Sequence, residues 1–173
     1  MARHLIIDGY NLLRGSRRYA AEAQRDLEAA CARLIADLGA RAADGQKVTV
    51  VFDGGGNRFS HGTPRIVGGL TVIYSAAGTD ADSVIEAMAA AAREAGEDTE
   101  IVTSDAATRW SSLGGPVIVT RASSFALELD DDETEWRAQA DVQAAARGTV
   151  SDRLGDGVRA RLDRLAGRRA PER

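Results

Sequence analysis

Three apolar runs in this chain end in aspartate. Leu5-Ile6-Ile7 leads into Asp8, Val50-Val51-Phe52 into Asp53, and Ile101-Val102-Thr103-Ser104 into Asp105. Two further acids, Asp80 and Asp82, stand at the head of the helical stretch in GTDADSVIE. Clustered carboxylates without cysteine or histidine suit hard, oxygen-binding cations. Mg²⁺ takes one or two of them and keeps waters and phosphate oxygens as its other ligands. Such ions lower the pKa of bound water and neutralise charge at a phosphodiester. Each acid also has a structural reading, because strand-end aspartates cap following helices and acids favour helix N-termini. For one aspartate the two readings are evenly matched. For three strand ends together, capping alone is a poor account. Asn11 follows Asp8 by three residues in DGYN. Its amide can orient Asp8, bind a phosphate oxygen or cap the first helix. Ser104 can bond a carboxylate or a bound water, whereas Thr103 reads as a turn hydroxyl.

These acids converge only if the strands bearing them run the same way. Residues 3–8, 47–53, 70–75, 99–103 and 116–119 are short continuous apolar runs, as in a parallel sheet covered on both faces. Leu27, Cys31, Leu34 and Leu38 make one helical stripe, and Val84, Ile85, Met88, Ala92 and Ala95 make another. Residues 106–113 and 123–129 read as short helices. The alternation predicts an α/β fold with a mainly parallel sheet and right-handed crossovers. Ligands of such sheets bind beyond the carboxyl ends of the strands, where strand order reverses. Residues 54–64 form a glycine-rich loop. Residues 1–147 read as one domain and 148–173 as an arginine-rich helix and tail.

Composition narrows the chemistry. The 173 residues include one cysteine, so neither an internal disulfide nor a multi-cysteine zinc site is available. The formal net charge of -4 gives no bulk attraction for nucleic acid. Lys47 is the only lysine, the other basic residues are arginines, and a Walker A motif is absent, which excludes a P-loop nucleotidase. No segment approaches the roughly 20 apolar residues of a membrane span. The start of the chain has no signal-peptide core, so a cytoplasmic location is expected.

Ile6-Ile7-Asp8-Gly9-Tyr10-Asn11 resembles the opening motif of the YacP-like NYN domain family, a branch of the PIN-like nucleases. The resemblance continues in order through Val50-Val51-Phe52-Asp53, Gly78-Thr79-Asp80-Ala81-Asp82-Ser83-Val84-Ile85-Glu86 and Val102-Thr103-Ser104-Asp105. It extends to Arg121-Ala122-Ser123-Ser124-Phe125 with Glu128-Leu129. It implies a three-layer α/β/α sandwich with a C-terminal helical extension. It also implies a metal-dependent endoribonuclease using Mg²⁺ or Mn²⁺. By motif, Asp8, Asp82 and Asp105 are the metal-binding acids, Asn11 assists, and Asp53 and Asp80 are additional acids. Where the family often continues after Asp105 with a polar or acidic pair, this chain has Ala106-Ala107-Thr108-Arg109, which counts against a second metal site there.

Charge distribution supplies the RNA-contact candidates. Arg14, Arg17 and Arg18 follow DGYN; Arg58, Phe59, His61 and Arg65 lie in or beside the glycine-rich loop; Arg121 and Ser124 follow the fifth apolar run. Phe59 can stack a base and Arg121 can clamp a phosphate. His61 reads first as a solvated loop residue. Glu128–Glu135 places six acids in eight residues, read as a solvated helix start, with Trp136 as a packing anchor. Residues 151–165 read as an amphipathic helix, expected to dock on the domain, contact RNA or mediate self-association as a homo-oligomer. The expected reaction is attack of metal-activated water on an RNA phosphodiester, leaving a 5′-phosphate and a 3′-hydroxyl. Messenger, transfer and ribosomal RNA, free or ribosome-presented, stay open as substrates. The rivals are an inactive RNA-binding module of the same fold and a metal-dependent phosphatase of the haloacid dehalogenase type. The second expects acid and hydroxyl or valine positions where Tyr10 and Leu12 stand, and a suitably placed lysine.

Overall fold

The computed structural model describes residues 3–55, 60–104 and 115–146. Asp105, Arg58, Phe59, the expected helices at 106–113 and 151–165, and the side chain of Trp136 lie outside what is described. The chain divides into two compact units, residues 1–130 and 131–173.

The five apolar runs are strands: β1 (His4–Asp8), β2 (Val48–Phe52), β4 (Leu70–Tyr74), β5 (Thr99–Thr103) and β6 (Val117–Arg121). A short strand, β3 (Arg65–Val67), was not expected from the sequence. The sheet order is β3-β4-β2-β1-β5-β6. All neighbours pair in parallel except β3, which runs antiparallel to β4. Gly68 and Gly69 join β3 to β4 with φ of 59° and 85°, the left-handed geometry that a two-residue hairpin turn demands.

Helices α1 (Gly9–Gly15), α2 (Arg17–Arg25) and α3 (Leu27–Ala43) connect β1 to β2, and α4 (Ala81–Ala95) connects β4 to β5. Helix α5 (Ala122–Ala146) follows β6. Polar side chains start these helices: Asp8, Ser16, Asp26 and Asp80 accept backbone N–H bonds at the starts of α1 to α4. Helix α4 stops at Gly96, whose φ is 66°. The stretch 123–129 is the beginning of a 25-residue helix, and Glu128–Glu135 lies inside it rather than at its start.

Strand alternation divides the core in two. Leu5, Ile7, Val48, Val50, Phe52, Leu70, Val72 and Val102 face α1, α2, α3 and the first turns of α5. Ile6, Val51, Ile73 and Ile101 face Ala81, Ile85 and Ala89 of α4. The result is a helix–sheet–helix sandwich. Strand order reverses between β1 and β5, because successive connections move outward on one side and then return to the other. That reversal marks where a ligand crevice belongs.

Candidate active site

Asp8 ends β1 at this reversal and is buried. It also caps α1. The Asn11 backbone N–H donates to Asp8 Oδ1 at 2.9 Å, and the Asn11 side-chain amide donates to Asp8 Oδ2 at 2.7 Å. The same amide donates to Thr103 Oγ1 at 3.2 Å, across the gap to β5. Asn11 therefore orients Asp8 and ties the two strands together. Thr103 is a buried strand-end acceptor, not the turn hydroxyl its position suggested. Ser104 Oγ donates to the carbonyl of Asn11 at 3.4 Å.

Burial pushes the Asp8 carboxyl above its ordinary value, and the charge of Asp82 pushes the same way. The Asn11 bonds and the charge of Arg14 oppose that rise. Asp80 is the α4 cap, accepting from the Ser83 backbone N–H at 2.8 Å, and Asp82 follows in the first helical turn. Asp53 leaves the end of β2 and accepts from the Gly55 N–H at 2.8 Å.

Side chains and backbone from these elements line one cavity of about 690 Å³. Its walls include Asp8, Asn11, Asp53, Asp80, Asp82 and Ser104, with Tyr10 and Arg14 beside them. Capping a helix and lining the cavity are thus compatible: Asp8 and Asp80 do both. Arg17, Arg121, Ser124 and His61 are exposed and do not line this cavity. Arg121 sits opposite Thr103 in the β5–β6 register, at the same sheet edge. Arg18 has a different occupation, pairing with Asp37 at 2.8 Å. Lys47 pairs with Glu97 at 2.8 Å and immediately precedes β2, at the far end of the sheet from the cavity.

Sequence reasoning missed Ser75. This fully buried residue follows β4. The Gly54 N–H donates to Ser75 Oγ at 2.8 Å, and Ser75 Oγ donates to the Thr79 carbonyl at 2.7 Å. One hydroxyl therefore links the residue after Asp53 to the residue before Asp80. Its bonds depend on loop geometry and leave no spacing pattern in the chain.

The donor set fits a hard divalent cation. The acids and hydroxyl around the cavity offer oxygen, with no sulfur or imidazole among the lining residues. Each Asp8 oxygen keeps lone-pair capacity beyond its bond to Asn11. Among the described residues no three acid, histidine or cysteine side chains form a ready-made ligand group. Mg²⁺ requires only one or two carboxylates, so the arrangement still suits it.

The sequence profile of the YacP-like NYN domain matches residues 5–167. The fold also matches the crystal structure of Rae1 (YacP) from Bacillus subtilis, with a TM-score of 0.63 at 21% identity over 94% of both chains. A mutant form of the same protein matches with a TM-score of 0.65 at 21% identity, over 94% of this chain and 99% of that one. No protein of curated function matches. Among the described residues no helix is long and apolar enough to cross a membrane. The profile spans nearly the whole chain: the chain belongs to the YacP-like NYN domain family of nuclease-like proteins and has an α/β PIN-like fold.

Proposed function

We propose that the chain is a metal-dependent endoribonuclease that hydrolyses RNA phosphodiester bonds. The observation that carries this reading is the cavity in which Asp8, Asp53, Asp80, Asp82, Asn11 and Ser104 meet at the strand-order reversal. Asp8 and Asp82, with Asp105 by family motif, would hold Mg²⁺ or Mn²⁺. A bound divalent cation supplies Lewis-acid charge at the phosphate and strengthens water as a nucleophile.

The chain's own residues do the rest. Asn11 fixes the Asp8 carboxylate through two donated bonds. Ser75 fixes the spacing of the loops that carry Asp53 and Asp80. Arg14, at the wall of the cavity, takes a phosphate oxygen. Arg17 and Arg121 are exposed cations for flanking phosphates, and Ser124 an exposed hydroxyl.

The test is cleavage of RNA by wild type and by Asp8→Asn, with Mg²⁺ or Mn²⁺ added. Wild type should cut internally and Asp8→Asn should not. Equal cleavage by both, or none by wild type, would sink the assignment.

A further inference from the structure

A second cavity of about 450 Å³ adjoins the acid-lined one. Tyr10, Arg14 and Leu27 line both, so the two share a wall. Leu13, Ala20, Ala23 and Gln24 complete the second cavity. No carboxylate lines it among the described residues. Chemistry therefore divides at Tyr10 and Arg14, with acids on one side and apolar surface plus one amide on the other.

A bare phosphate would have little use for the second side, but a nucleotide matches both. With its phosphate at Arg14, its base would enter a mostly apolar space without carboxylates, of the size that holds small organic ligands. Tyr10 is held for such contact. Its ring meets the Phe52 ring at 5.2 Å and 60°, and Phe52 stacks on Tyr74 at 5.2 Å and 21°. An already ordered ring loses little freedom when something stacks on it. Leu27 is 47% exposed and adds apolar surface. Gln24 carries both a donor and an acceptor, as edge recognition of a base requires.

We propose that this second cavity is a base subsite. It takes the nucleobase of the RNA residue next to the phosphate held at the acid site, stacked on Tyr10, packed on Leu27 and hydrogen-bonded at its edge by Gln24. The proposal rests on the endoribonuclease reading of the neighbouring cavity, and the experiment separates the two.

Binding of end-labelled hexaribonucleotides is measured by fluorescence anisotropy, using Asp8→Asn protein in chelator so that nothing is cut. One abasic residue is walked along the hexamer. A single abasic position should weaken binding about tenfold, the scale of losing one base–aromatic stack. Leu27→Ser and Gln24→Ala should each weaken the intact hexamer while leaving that abasic hexamer unchanged. Both positions are exposed, so the fold should survive; circular dichroism checks it. Equal weakening at every abasic position, or the same loss on the abasic hexamer, overturns the subsite. Cleavage by the Asp8-containing protein with Mg²⁺ or Mn²⁺ then assigns any failure. Position-dependent binding without cleavage keeps the subsite and removes the nuclease reading. Cleavage with position-independent binding does the reverse. Absence of binding by the intact hexamer removes the subsite.

Discussion

Asp8 shows how one side chain serves two ends. It caps α1 and presents its carboxylate to the cavity, in a buried setting that disfavours charge. A carboxyl raised above its ordinary value contributes stability below its unfolded pKa, and loses it as pH rises through the folded value. At neutral pH the charge is therefore a net cost to the fold. Asp8→Asn removes that charge, but it keeps one acceptor oxygen where Asp8 has two, and so gives up one of the bonds from Asn11. In chelator its melting temperature should fall less than that of wild type between mild acid and neutral pH, while cleavage is lost. Asn11→Ala should lower cleavage or metal affinity by about 10- to 100-fold, the range for groups that orient ligands. Metal titration against rate reads this. Asp8, Asn11 and Asp82 were legible because each sits in a short motif. Thr103 was not, because the Asn11 amide that identifies it lies 92 residues away.

At the scale of elements, apolar runs located five strands to within a residue or two, because the central ones, β1 and β2, are buried along their whole length. β3 escaped because all three of its residues are exposed, although Gly68-Gly69 between Val67 and Leu70 is a hairpin signal. The acid run 128–135 suggested a helix start. Helix α5 runs through that stretch without a break. Tight joints between elements hold the site. A Cβ at Gly9 would run into the Phe52 ring. Gly9→Ala should cost about 1–3 kcal/mol by forcing the ring aside, measured by urea denaturation. Ser75→Ala leaves the buried Gly54 N–H without its acceptor. It should cost about 1–3 kcal/mol and lower cleavage by loosening the Asp53 and Asp80 loops together.

At the scale of the molecule, charge is sorted to opposite ends of the sheet. The carboxyl edge gathers acids around the cavity, whereas the amino edge holds His4, Lys47 and Glu97. Buried His4 shares a 2.9 Å hydrogen bond with Thr49, and its Nδ1 lies 3.7 Å from Glu97. Burial and the charge of Lys47 push His4 below its ordinary 6.5, with Glu97 opposing. A lowered histidine contributes stability above its unfolded value and loses it as pH falls through the folded one. Urea denaturation from neutral pH into mild acid should show stability falling, and His4→Gln should flatten that slope. The net charge of -4 suggested little affinity for nucleic acid. The structure assigns much of the acidity to the cavity and to α5, leaving exposed arginines at Arg17 and Arg121.

The bond from Asn11 to Thr103 also sets a clock. β1 lies mid-sheet, between β2 and β5, and β5 is made some ninety residues after it. A nascent chain that has emerged only through α4 carries Asp8, Asp53, Asp80 and Asp82, yet it lacks β5, against which Asn11 braces the first acid. The completed cavity is thus a late product of synthesis. A polypeptide still being translated holds its acids before it holds the arrangement that would let them act.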